Sequence, residues 1–223
     1  MSGPPGAWQL FERGAAGYEG WYATPRGRRA DLAERALLER LLAPFAAAQS
    51  ALEVGCGTGH FTRWLAGRVP HVVGLDCAPA MLAEARRHHP RLLLVHGDAH
   101  HLPIRGRSVD LTVFVITLEF LEDPAVALAE AVRVTRRGLV VVALNRWSLG
   151  GLSRRWGRDA RRPLLGQARD FTLASLRTLA STAAGPRLRA LRWVGALFPG
   201  GLVGVRGGIP LGGVLGIAIE LGP

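Results

Sequence analysis

Three glycines alternate with small residues in LEVGCGTGHF, residues 52–61, where Gly55, Gly57 and Gly59 follow Glu53 and precede a helical pattern. A bend of bare backbone lets a ligand lie against the main chain. The helix end behind it offers unpaired N–H groups and the positive end of a dipole. A nucleotide-like or anionic ligand is expected there. Two familiar phosphate patterns fail on single residues: a dinucleotide fingerprint wants glycine where His60 stands, and a P-loop wants a Gly-Lys pair in a chain that has no lysine. Two more carboxylates follow apolar runs, Asp76 in VVGLDCAPAML (72–82) and Asp98 in HGDAHHLPI (96–104).

The histidines do not space themselves as a metal set. His96, His100 and His101 lie close together and His88 and His89 form a pair, but no oriented carboxylate or thiolate completes either group, so loop histidines and no metal are expected. Cys56 and Cys77 fall in the two ligand loops and read as small residues that fit there, not as a redox pair. The stretch 146–163 carries Arg146, Arg154, Arg155, Arg158, Arg161 and Arg162 against the single acid Asp159. It follows the fifth apolar run, so it should leave the carboxyl edge of a sheet, where ligands bind in open α/β folds. An anionic or carboxylate-bearing substrate held by arginine beside Trp147 or Trp156 is one reading, and a solvated loop is the other.

Those residues need a scaffold. Two hundred and twenty-three residues with 48% hydrophobic and 20% charged side chains suffice for one core, which excludes a disordered chain, and two cysteines exclude a disulfide framework. The net charge of +11 comes entirely from arginine, as base composition of the genome would also produce, so it does not by itself demand a polyanionic partner. Short apolar runs recur at 51–54, 72–75, 92–95, 111–116 and 139–144, each about one crossover helix apart. Continuous apolar strands imply burial on both faces, and the pattern predicts a doubly wound, Rossmann-like α/β sheet. Helices are expected over 31–45, with Asp31 and Glu34 as a capping pair, and at 61–66, 81–87, 124–135 and 172–184. The link 98–108 has room for a turn of helix at most, and residues 1–7 read as disordered. The C-terminal stretch 193–219 is broken by Pro199, Pro210 and glycine pairs, so two strands, 188–197 and 214–221, are expected instead of a membrane span. The first twenty residues show no secretory pattern, which points to the cytoplasm.

Glu53 through Gly59 resembles the first motif of class I S-adenosylmethionine-dependent methyltransferases, and the likeness continues through Asp76, Asp98, SVDLTVFVITLEFLEDP (108–124) and EAVRVTRRGLVVVALN (130–145). With YEGWYATPRG (18–27) it is similar to the ubiquinone-biosynthesis-like, type 11 group. The resemblance implies a seven-stranded, mostly parallel sheet with an antiparallel last strand. It also implies one domain over 1–223, divided into an N-terminal aromatic lid and helix (1–48), a cofactor-binding half (49–146) and a substrate-side half (147–223). The implied cofactor is S-adenosyl-L-methionine, surrounded by Tyr18, Glu53, Gly55, Gly57, Thr58, Gly59, Asp76, Cys77, Met81, Gly97, Asp98, Ala99 and Thr117. In the family the carboxylate at the place of Asp76 takes the ribose hydroxyls and that at Asp98 the adenine amino group. An aromatic of the entering arm, Tyr18 ahead of Trp21 and Tyr22, would face the sulfonium.

Family members transfer the methyl group by in-line displacement, which asks the protein to align an acceptor and exclude water. Glu119 is the one catalytic candidate, as a base toward the acceptor; a hydrogen bond closing its loop is the competing role. The Asn/Asp-Pro-Pro-aromatic box of base-methylating enzymes is missing, since that place reads Thr117-Leu118-Glu119-Phe120. A small-molecule acceptor is therefore expected over a nucleic acid. An RNA methyltransferase and a non-catalytic cofactor-binding protein stay open as alternatives, and oligomeric state is not encoded.

Overall fold

The computed structural model describes residues 6–148, 167–197 and 210–223. Its centre is a seven-stranded sheet in the order β3-β2-β1-β4-β5-β7-β6. The strands are β1 (Ser50–Val54), β2 (His71–Asp76), β3 (Leu93–His96), β4 (Val109–Val115), β5 (Thr135–Leu144), β6 (Leu188–Ala196) and β7 (Val214–Leu221). The first five pair in parallel, and β7 runs antiparallel to both its neighbours, β5 and β6. The expected Rossmann-like sheet with an antiparallel last strand is what forms.

Six helices cover the sheet among the described residues: α1 (Trp8–Ala23), α2 (Pro25–Leu42), α3 (His60–Ala66), α4 (Pro79–His88), α5 (Pro124–Val134) and α6 (Leu173–Ala184). Strand β5 shows why its apolar run is unbroken. Leu139, Val141 and Ala143 pack in one buried cluster with Leu128 and Ala131 of α5 and Leu176 and Ala180 of α6. Val140 and Val142 face the opposite cluster, with Leu37, Leu38 and Leu41 of α2 and Phe61, Trp64 and Leu65 of α3. Both faces are dry, so alternation disappears from the sequence.

The ends differ from expectation in places. Asp31 and Glu34 do not cap a helix: α2 begins six residues before Asp31, at Pro25, and Thr24 is its cap, accepting a hydrogen bond from Gly27 N at 3.0 Å. The regular helix stops at Leu42, and 43–45 form a 3₁₀ turn. Thr135 is the first residue of β5, not the last of α5; its hydroxyl meets that of Thr112 at 2.6 Å in the sheet. The link 98–108 contains no helix. Its Leu102 and Ile104 carbonyls instead accept from the Arg133 guanidinium, each at 3.0 Å, and Leu102 N donates to Glu130 at 2.9 Å. Residues 6 and 7 are a turn with Ala7 buried, so the expected ragged start does not include them; residues 1–5 lie outside the described part. So does most of the arginine-rich stretch, from 149 to 163, with Trp156; Arg146 and Trp147 are exposed beside it.

Two layers meet tightly at Gly138 of β5. A Cβ there would stand 2.4 Å from the Phe45 ring and 2.5 Å from the Ile219 carbonyl of the neighbouring strand. The ring can shift but the strand cannot. Gly138→Ala should therefore lose about 1–3 kcal/mol of stability in chemical denaturation; an unchanged midpoint would show that β5 and β7 can separate freely.

Candidate functional site

The carboxyl ends of β1, β2, β3 and β4 open onto a cavity of about 560 Å³, a size that suits a cofactor or drug-sized ligand. Its floor is the bend after β1. Gly55, Gly57 and Gly59 have φ of 74°, 53° and 81°, values that any side chain would adopt only under strain. Neighbours crowd side chains as well: a Cβ on Gly55 would lie 2.2 Å from Thr117 Cγ2, and one on Gly59 2.7 Å from Leu92 Cδ1, the end of a side chain that would have to move. At Gly57 the nearest atom would be Met81 Cε at 3.6 Å, so this is where backbone lies open to the cavity.

Asp76 ends β2 beside that opening. Oδ2 accepts from Gly57 N and Oδ1 from Ala78 N, both at 2.8 Å. Burial pushes the carboxyl up from its ordinary range, and these backbone donors pull against that rise. Each oxygen keeps a second lone pair, so the carboxylate is fixed in place with acceptor capacity left over. Asp98 stands at the rim, more than half exposed. Burial alone would raise it, but the backbone N–H and ring of His100 hold it below the usual range.

Ten of the residues expected around a cofactor line this cavity: Tyr18, Gly55, Gly57, Asp76, Cys77, Met81, Gly97, Asp98, Ala99 and Thr117. Glu53, Thr58 and Gly59 sit behind the lining. Glu53 is buried under α3 and accepts from the Thr62 hydroxyl, and Thr58 hydrogen-bonds Glu19 of α1. Glu119 is fully buried off the cavity wall: its Oε1 accepts from Leu144 N and its carbonyl from Arg169 N. Both bonds tie the turn after β4 to neighbouring chain segments. Among the described residues no group of three His, Cys, Asp or Glu could hold a metal.

The structure adds residues that sequence reasoning passed over. Trp8 and Phe11 of α1 and Phe120 join Tyr18 as an aromatic wall, with Phe11 packed edge-on to Phe120 at 4.8 Å between centroids. Ile116 lines the cavity with φ of 51°, a rare conformation for a β-branched residue and a sign that the chain is held there by its neighbours. His60, which breaks the dinucleotide pattern, pins the N-terminal arm: its ring stacks on Tyr22 at 3.6 Å, its Nε2 meets Asp31 at 2.7 Å, and Nδ1 lies 3.7 Å from Glu19. Glu12 of α1 accepts from Ala80 N at 3.0 Å, at the start of α4. Burial pushes the Tyr18 hydroxyl up to about 12, so it is a neutral hydrogen-bonding group at any ordinary pH.

Several known proteins similar to this chain are methyltransferases by name. Residues 52–143 match the family model described as a methyltransferase domain. A malonyl-[acyl-carrier protein] O-methyltransferase of Pectobacterium atrosepticum is 35% identical over 154 residues, 67% of this chain and 57% of that protein. Another so named, from Serratia marcescens, is 33% identical over 59% of this chain and 49% of its own length. The chain thus spans about half the length of these curated relatives. Among solved structures, a Thermotoga maritima S-adenosylmethionine-dependent methyltransferase superposes with a TM-score of 0.78 at 25% identity, covering 96% of this chain and 99% of that one. The N-methyltransferase NodS of Bradyrhizobium japonicum, solved with S-adenosylhomocysteine, shares the fold at a TM-score of 0.68 and 19% identity, with 97% and 99% covered.

Two buried carboxyls flank this site without lining it, Glu53 under the glycine bend and Glu34 of α2. Desolvation raises each from 4.5 to about 8. The folded chain therefore keeps two protons that the unfolded chain gives up near pH 4.5. Their stabilisation is complete below that pH and is lost as pH rises through about 8. The melting temperature should fall between pH 5 and 8.5, and Glu34→Gln and Glu53→Gln should each flatten the decline; a parallel decline in the variants would contradict this.

Proposed function

We propose that this chain, a member of the class I S-adenosylmethionine-dependent methyltransferases, transfers the sulfonium methyl of S-adenosylmethionine to a small-molecule acceptor. The observation that carries this reading is Asp76, held by two backbone donors at 2.8 Å with both oxygens still able to accept from a pair of adjacent hydroxyls. The bare bend at Gly57 fits the same ligand, since a nucleoside with an amino-acid tail can lie against it where a side chain would block it.

The cofactor, when bound, supplies an activated methyl group and a neutral leaving thioether. This chain's residues then have three tasks. Asp76 accepts the ribose hydroxyls and Asp98 the adenine amino group. Tyr18, on the cavity wall, offers its ring to the sulfonium. Trp8, Phe11 and Phe120 keep water out, which favours displacement at the methyl group by the acceptor over hydrolysis.

The acceptor we propose carries a carboxylate. The curated relatives are named O-methyltransferases of a malonyl group, whose free carboxylate is already ionised at neutral pH. Such an acceptor needs no general base, which accords with Glu119 being committed to Leu144 N instead of to the cavity. The half 49–146 would hold the cofactor and the segments beyond it the acceptor. The chain's arginines, Arg146 among them, would favour an anionic partner, and we place its work in the cytoplasm.

Titration calorimetry on ligand-stripped protein should show one site for S-adenosylhomocysteine. Asp76→Ala should weaken it about a hundredfold, the loss of two charge-assisted hydrogen bonds at about 1.5 kcal/mol each. Incubation with labelled S-adenosylmethionine and malonyl-acyl carrier protein should then yield a base-labile methyl ester. No uptake of the homocysteine compound by the unaltered protein would overturn the cofactor reading, and uptake without transfer to any carboxylate would overturn the acceptor.

A further inference from the structure

The histidine of the loop after β3, His100, faces both the cavity and the cap of α5, and its two ring nitrogens are both engaged. His100 Nδ1 lies 2.7 Å from Asp98 Oδ1, and its backbone N donates to the same oxygen at 2.9 Å. On the far side of the ring, Nε2 receives the backbone N–H of Asp123 at 3.1 Å. An amide N–H can only donate, so Nε2 is the bare nitrogen and the ring proton sits on Nδ1, pointing at the carboxylate. The orientation of the ring is thus fixed by its partners on both sides.

Two consequences follow from where these atoms are. First, Asp98 has one oxygen committed twice to residue 100, which fixes the torsion of its carboxylate, while Oδ2, with His101 Nδ1 3.6 Å away, is the oxygen with acceptor capacity left for a ligand. Second, Asp123 is the cap of α5, its Oδ1 accepting from Ala125 N at 2.9 Å and Val126 N at 3.2 Å. The residues just before it, Phe120, Leu121 and Glu122, form the facing wall of the cavity. One ring therefore ties the rim carboxylate to the wall opposite.

We infer that His100 is a positioning residue that sets selectivity for a 6-aminopurine: it aims Asp98 at the exocyclic amino group and fixes the width of the slot in which the base lies. This rests on the cofactor reading given above. A 6-oxo base presents a carbonyl where the amino group would be, and a carboxylate held toward that position repels it. Without the ring only the amide of residue 100 still holds Oδ1, so the carboxylate turns more freely, and the amino compound loses part of a partner while the oxo compound loses part of a repulsion.

The test compares calorimetric affinities for S-adenosylhomocysteine and S-inosylhomocysteine in the full chain and in His100→Phe, which keeps a flat ring and removes both hydrogen bonds. The unaltered protein should favour the adenosyl compound strongly. In His100→Phe that preference should drop about tenfold, and His100→Gln, whose amide can both donate and accept, should restore most of it. Should His100→Phe not fold, His100→Ala is read in its place. A variant that loses affinity for both compounds in equal measure has a merely structural histidine and overturns the inference, as does an unaltered preference. Failure of the unaltered protein to bind either compound overturns the cofactor reading itself and removes the inference with it.

Discussion

Three backbone positions in five residues must take positive φ for β1 to turn into α3 with its main chain exposed to the cavity. At Gly55 the obstacle is the Thr117 methyl, and at Gly59 it is Leu92. The bend is therefore packed against the segment after β4 on one side and the residue before β3 on the other, with Leu75 O of β2 accepting Gly55 N at 2.7 Å and Cys56 N at 3.0 Å. Its one open face, at Gly57, is the face that Asp76 overlooks, and the placing of every other group at the cavity depends on that arrangement.

Burial of acids follows from the same geometry. A parallel sheet that is dry on both faces forces any carboxyl near its strand ends to be protonated, fixed by donors, or brought to the rim. All three outcomes occur here. Glu53, beneath the bend with only the Thr62 hydroxyl to bond it, has its proton held to about pH 8. Asp76 is spared that fate in part by Gly57, Ala78 and Cys77 amides. Asp98 reaches the rim and ionises below its usual range beside His100, despite the burial that opposes it. The acids that can accept hydrogen bonds from a ligand are those with donors already in place, and the acid without them is neutral packing.

The sheet was legible in the sequence because its strands, being covered twice, read as unbroken apolar runs, and Asp76 and Asp98 were legible because they stand where such runs stop. The first helix of the N-terminal arm was not, although the resemblance marked the arm as an aromatic lid with Tyr18. Helix α1 contains Gly14, Gly17 and Gly20, where an added Cβ would meet nothing within 4 Å, and which lower its helical propensity, so tertiary contacts must hold it: Glu12 on Ala80 N, Glu19 with Thr58 and His60, and Phe11 against Phe120. None of those partners is near in sequence. The same distance hid the true start of α2, since Asp31 looks like a cap next to Glu34 but spends its carboxylate on Arg35 and His60 inside the helix. Thr24 and Pro25 carried the correct signal, a cap followed by a first-turn proline. For Glu119 the sequence left two roles open, and the partner the structure adds, Leu144 N on the neighbouring strand, lies too far along the chain to be read there.

His60 makes the wider point about what a missing motif residue can do. Where a dinucleotide fingerprint would place glycine to bring helix and strand together, this chain places a ring that needs room and supplies two nitrogens. That room is taken by Tyr22, stacked parallel to it at 3°, and by carboxylates from both α1 and α2. The first turn of α3 thereby becomes the anchor for the arm that carries Trp8, Phe11 and Tyr18 to the cavity. Exchange of a glycine for a histidine does not merely exclude one cofactor class. It moves the fixed point of the lid onto the glycine bend itself, so that the wall that excludes water and the floor that bears the ligand are aligned by a single helix end.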